Sequence, residues 1–121
     1  MANTFKVVTF AAEPNSAGTP YTVYTTPSST TTVVIGLVLA NINTTAVTAE
    51  VELVSDTGSR GGANDVSNGT SFLAKDVSIP AGTSLELLSG GKVVLEATDE
   101  IKIDCSVADK LSGTLSIMEI T

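Results

Sequence analysis

Val47-Thr48-Ala49-Glu50-Val51-Glu52-Leu53 alternates apolar and polar residues without a break. A period of two marks a strand, because successive side chains leave a pleated backbone on opposite faces. Val47, Ala49, Val51 and Leu53 therefore point toward a core, and Thr48, Glu50 and Glu52 toward water. A strand wet on one side belongs to an antiparallel sheet.

The flanking sequence extends the same reading. Thr32–Asn41 is apolar on both faces, with Val33, Ile35, Leu37 and Leu39 set against Val34, Val38 and Ala40. That pattern predicts the central strand, covered on both sides. Gly36 inside it predicts a bulge or the close approach of another chain. Further upstream, Thr4–Phe10 puts Phe5, Val7 and Thr9 on one face and Lys6, Val8 and Phe10 on the other. Pro20 opens a strand at Tyr21–Thr25, and Pro27 breaks it. Downstream, Ser71–Ile79 is a strand, and Pro80-Ala81-Gly82-Thr83 is a turn. Ser84–Leu88 and Lys92–Glu96, joined through Ser89-Gly90-Gly91, read as a hairpin. Glu100–Val107 and Leu111–Ile120 complete about nine short strands. The one helical candidate is a turn at Ala108-Asp109-Lys110. The fold expected is all-β, an antiparallel β-sandwich of jelly-roll-like or Ig-like type, forming a single domain over residues 1–121.

Composition narrows the function. Six Lys and Arg against thirteen Asp and Glu leave a net charge of −7, a field that repels a phosphate backbone. Arg60 is the lone arginine, so no basic cluster can offset that field, and nucleic acid is not an expected partner. Histidine is absent. The commonest general base, metal ligand and pH switch are thereby missing. Cys105 is the single cysteine and sits in the alternation Ile101, Ile103, Cys105, Val107, where a buried structural thiol is expected. The start, Met-Ala-Asn-Thr-Phe-Lys, lacks the basic and apolar regions of a secretory signal, so synthesis in a cytoplasm is expected. The longest mainly apolar run, Val33–Ile42, is about half a membrane span, and no membrane partner is expected.

Candidate chemistry is thin. Asp56-Thr57-Gly58 matches the triplet of aspartic proteases, which could share a proton between two carboxylates in a dimer. Those enzymes brace the triplet with a later apolar-apolar-Gly segment, whereas Val34-Ile35-Gly36 precedes it here. Ordinary turn chemistry produces the same three residues, and no enzyme activity is expected. Gly61-Gly62-Ala63-Asn64-Asp65 is one imperfect copy of a glycine-aspartate calcium repeat, too little for a cage of oxygen ligands. No metal or cofactor is expected. A carbohydrate- or cell-surface-binding module is the alternative binding class, and it would draw on Tyr21, Tyr24 and scattered Asp and Asn.

Several stretches carry a resemblance. They are Thr30-Thr31-Thr32-Val33-Val34-Ile35-Gly36-Leu37, Ile79-Pro80-Ala81-Gly82-Thr83-Ser84-Leu85-Glu86-Leu87-Leu88, Gly91-Lys92-Val93-Val94-Leu95-Glu96-Ala97-Thr98-Asp99 and Leu115-Ser116-Ile117-Met118-Glu119. Together they resemble small virion structural proteins of tailed bacteriophages, of the marine and cyanobacterial-phage type. The resemblance covers most of the chain but not the Ser55–Thr70 loop. It implies a non-enzymatic capsid decoration (cement) protein on the outer head surface, with a neck, tail or fibre-adaptor component as the alternative. It further implies localisation in the virion after synthesis in the host cytoplasm. The partners implied are the major capsid protein or other virion proteins, and other copies of the chain in a homo-oligomer, a trimer by preference.

Two segments are expected to make such contacts. The glycine-rich Ser55–Thr70 loop carries Arg60, a donor suited to a partner carboxylate, beside Asn64 and Asp65. The N-terminal strand has Phe5 and Phe10 on opposite faces, more apolar surface than an edge strand leaves to water.

Overall fold

A computed structural model describes residues 2–55, 69–88 and 90–121. Nine strands form among them: β1 (Asn3–Glu13), β2 (Tyr21–Thr25), β3 (Thr31–Asn41), β4 (Val47–Val54), β5 (Thr70–Ile79), β6 (Ser84–Leu87), β7 (Val93–Leu95), β8 (Glu100–Cys105) and β9 (Leu111–Ile120). They pair antiparallel in two sheets, one ordered β1-β9-β3-β6 with β7 also on β3, the other β2-β8-β4-β5. The protein is a β-sandwich, as the alternation at 47–53 implies. Its core is the inner face of both sheets, where Leu37, Leu39, Leu95, Leu111 and Leu115 meet Ala49, Val51, Ile101 and Ile103.

Polar residues hold two corners. Asn41 ends β3, is buried, and donates its side-chain amide to the carbonyls of Thr45 (3.0 Å) and Ile79 (2.8 Å). Its own Oδ1 accepts the Asn43 N–H at 2.8 Å. One side chain thus satisfies three backbone groups where the chain leaves one sheet for the other. At the second corner the Thr83 N–H donates to the Pro80 carbonyl at 3.2 Å. Gly82 at φ +70° occupies the third place of this turn, where a left-handed backbone favours glycine. At one end of the sandwich the Tyr24 hydroxyl of β2 donates to Glu119 of β9 at 2.6 Å, and Lys6 of β1 reaches the same carboxylate at 2.7 Å.

Three expectations are corrected. β6 and β7 do not form a hairpin. Both pair with β3, β6 at Leu37–Ala40 and β7 at Thr32–Val34, so they are two pieces of one interrupted edge strand. Leu88 at φ 62° and Gly90 at φ 75° lie in the interruption and bend the chain out of the ladder. The segment at Ala108-Asp109-Lys110 is a turn with Asp109 at φ 59°, not a helix. β3 lies between β9 and the β6–β7 edge, as a central strand should, but among the described residues no element covers its second face. The register against β9 shifts between Val34 and Gly36, the bulge that Gly36 predicts. The inward set becomes Thr32, Val34, Leu37, Leu39 and Asn41, while Ile35 and Val38 stay open on the other side.

Cys105 is 3% exposed on the inner face of β8. Its thiol should react with a thiol reagent only on unfolding, and Cys105→Ala should cost about 1–2 kcal/mol as a small cavity. Rapid labelling of the native protein would refute the assignment.

Candidate assembly surface

The outward side chains of the two sheets differ sharply in chemistry. On the β2-β8-β4-β5 sheet, Glu50 is registered against Asp104, Glu52 against Lys102 and Val54 against Glu100. Lys75 of β5 donates to Glu50 at 2.6 Å and sits 4.7 Å from the centre of the Phe72 ring. That hydrogen bond raises the Lys75 ammonium above its ordinary pKa. Like charges facing each other across a ladder repel. Here Asp104 is occupied by backbone donors, taking the Gly18 N–H at 3.1 Å and the Cys105 N–H at 2.8 Å, while Glu50 takes Lys75. A cleft of about 350 Å³ lies over this face and is lined in part by Glu50, Asp76 and Asp104. Two of those three carboxylates are already held by these contacts. Among the described residues no group of three His, Cys, Asp or Glu is placed to hold a metal ion. This is a solvated acidic face.

The β1-β9-β3-β6 sheet turns an apolar face outward. The ladder registers Phe5 against Met118, Met118 against Val33, and Val33 against Val94, a row of four apolar side chains across four strands. Val7 adjoins the row on β1 and Ile35 on β3, and Val38 lies two rungs from it, registered against Thr114 and Glu86. Phe5 is 72% exposed, Val7 65% and Val94 58%, with Ile35 and Val38 at 38% each. These five side chains leave on the order of 500 Å² open, the upper range of what an ordinary monomer shows in one patch. Other positions of this face are Ser, Thr and Asn together with Gly36, Ala40 and Ile120, and among the described residues registered on it only Glu86, beside Val38, carries a charge. A large face with a single charge, on a chain of net charge −7, is the candidate interaction surface.

The five residues expected from sequence to make contacts fare differently. Phe5 forms the β1 end of the apolar row. Phe10 is turned inward at 7% exposure, its ring centre 5.8 Å from that of Tyr21. Its surface is therefore core within its own chain, since the even-numbered side chains of β1 face the second sheet. Arg60, Asn64 and Asp65, like Asp56, lie outside the described residues. Val33, Ile35, Val38, Val94 and Met118 were not expected on a surface. The signal for them is the two-sided apolar run, with no helix among the described residues to lay over the second side. Tyr21 and Tyr24 also change standing. Tyr21 packs on Phe10 and Tyr24 is hydrogen-bonded inside the sandwich, so neither is a stacking platform for a sugar.

Neither a protein-family model nor a curated protein matches the chain. Solved structures of similar fold do. A chain of the T13 infectious bursal disease virus particle matches with a TM-score of 0.54 and 11% identity, covering 97% of this chain and 30% of that one. A chain from the Gx strain of infectious bursal disease virus matches with a TM-score of 0.52 and 15% identity, covering 96% and 32%. This chain thus spans about a third of the length of the viral chains it matches. At such identity the likeness is one of fold, and it is to chains from infectious bursal disease virus, not from a tailed phage.

Proposed function

We propose that this protein is a non-enzymatic structural component of a virus particle, a decoration protein seated on the outer surface of a tailed-phage head. The observation that carries the reading is the apolar face of the β1-β9-β3-β6 sheet, set against an acidic, wet face on the other side of the sandwich. A subunit of this design stays soluble through its charge and docks through the one face where charge does not oppose contact. The viral chains of similar fold support a virion role, and the sequence resemblance supports the phage type.

Val38→Glu combined with Val94→Glu tests the reading, because both side chains are open and neither supports the core. The double variant should fold, losing about 1 kcal/mol to the carboxylate that Val38→Glu sets opposite Glu86. Its attachment to undecorated heads, measured by co-sedimentation, should fall about a hundredfold or more, since each carboxylate buried without a partner costs several kcal/mol. Attachment equal to the parent's would defeat the proposed face. Imaging of intact particles tests the location: copies in the hundreds over the head fit decoration, and a few copies at one vertex would assign the protein to the neck or tail.

A further inference from the structure

We propose that the free edge of β1 is a strand-pairing site and that its occupant is the β1 strand of a second copy, joined antiparallel about a two-fold axis. The proposal does not rest on the virion reading. A sandwich of two open sheets has four edges, and each presents unpaired backbone groups unless something blocks it. Three edges here are blocked. β2 is five residues long, shifts register between Thr22 and Tyr24, and lies between Pro20 and Pro27. β5 shifts register twice against β4 and carries Lys75 next to Asp76, whose φ is 51°. The β6–β7 edge is broken into pieces of four and three residues. β1 is the least guarded among the described residues: its one charge before Glu13, Lys6, turns inward to Glu119, and its one register shift lies beyond Phe10. It pairs with β9 in one unbroken register from Asn3↔Ile120 to Phe10↔Gly113.

The hydrogen-bond pattern shows which groups that edge offers. Ala2 and Thr121 exchange both N–H···O bonds, at 3.1 and 3.0 Å. In an antiparallel ladder such pairs alternate with unbonded ones. Thr4, Lys6, Val8 and Phe10 are therefore bonded to β9, and Asn3, Phe5, Val7 and Thr9 direct their N–H and C=O groups away from it. These same four residues carry the outward side chains of β1, so the open ladder and the apolar face end in one strand.

The occupant follows from charge and register. Residues 3–12 contain one lysine and no acid in a chain of net charge −7, so two copies meet here with less repulsion than the acidic face would impose. A two-fold pairing centred on Val7 sets Phe5 opposite Thr9 and Lys6 opposite Val8, which places no like charges face to face. It also joins two apolar faces into one continuous sheet. A two-fold contact closes on itself, so this edge makes dimers and not the trimer that the sequence resemblance implies.

Proline reads the difference between the two sides of β1. Val7→Pro removes an N–H that points away from β9, where an edge strand tolerates proline. Val8→Pro removes one that the subunit itself uses. The intact protein should sediment as a dimer, with the amides of Asn3, Phe5, Val7 and Thr9 protected from hydrogen exchange more strongly as concentration rises. Val7→Pro should be a folded monomer, and Val8→Pro should lose stability. The exchange measurement needs no variant, so it decides the matter even if Val7→Pro fails to fold. A parent that stays monomeric with those four amides exchanging freely would overturn the proposal, as would a dimer untouched by Val7→Pro. Protection that arises only on virus particles would also overturn it, by giving the edge to another protein's strand.

Discussion

Gly113→Val should destabilise the protein by about 3 kcal/mol, and most of that loss should vanish when Phe10 is also replaced by Ala. Gly113 and Phe10 are directly paired across β9 and β1. A Cβ at Gly113 would lie 2.5 Å from Phe10 Cζ, 2.6 Å from Cε1 and 3.1 Å from the Val38 carbonyl oxygen. No carbon tolerates the first two distances, and the ring has nowhere to retreat. It is buried against Tyr21, and swinging it to solvent would forfeit the burial that places it there. Phe10→Ala alone should cost about 3–5 kcal/mol as a large-to-small change in a core. In that background only the Val38 carbonyl oxygen, at 3.1 Å, still crowds a Cβ at Gly113, and a β-branched residue suits a strand. Urea unfolding of the two single variants and the double variant measures the coupling directly. Additive losses would mean that the ring and the glycine do not share the space.

The order of strands was legible because each alternating run is bounded by its own turn residues. The Tyr21–Thr25 strand is bracketed by prolines, and Pro80-Ala81-Gly82-Thr83 forms the turn its composition implies. What a run of residues does not carry is its pairing partner. Ser84–Leu87 and Val93–Leu95 adjoin in sequence with glycines between, the usual sign of a hairpin. In space β3 is long enough to receive both in succession. The choice was made by Leu85, Leu87, Val93 and Leu95, which face the same core as Leu39, Leu37, Val34 and Thr32.

The candidate assembly face was half legible. Phe5 stood out because an edge strand has no inner use for aromatics on both sides. Phe10 could not be told from it without knowing that a glycine lies opposite. Ile35 and Val38 were hidden by a sound rule applied to the wrong architecture. Strands apolar on both faces are covered on both in sheets flanked by helices. A sandwich covers each sheet once, so a second apolar face in such a chain is open unless another molecule covers it.

Raising or lowering the pH should loosen the sandwich from opposite sides through one cluster. Glu119 of β9, 7% exposed, takes Lys6 Nζ on Oε1 at 2.7 Å and the Tyr24 hydroxyl on Oε2 at 2.6 Å, and Thr32 Oγ1 lies 2.8 Å from that hydroxyl. Four strands and both sheets meet there. The Lys6 contact first, and the Tyr24 contact second, hold the Glu119 carboxyl below its ordinary pKa despite its burial. A lowered carboxylate stabilises the fold above its unfolded value, and that contribution is lost as pH falls through the folded one. Tyr24 behaves in the opposite sense. Burial, then the bond to Glu119, push its phenol from 10.0 up to about 12. Its contribution is complete below pH 10.0 and disappears as pH rises toward about 12. Glu119→Ala should cost about 2–3 kcal/mol at neutral pH, because charge-assisted hydrogen bonds are lost while Lys6 remains free to reach water. It should also flatten the acid limb of a stability-against-pH curve, and Tyr24→Phe should flatten the alkaline one. Curves for both variants that run parallel to the parent's would dissolve the cluster as a stabilising unit. Glu119 faces inward, away from Val38 and Val94, so Glu119→Ala should weaken the fold and leave particle attachment unchanged, the reverse of the Val38→Glu, Val94→Glu pair.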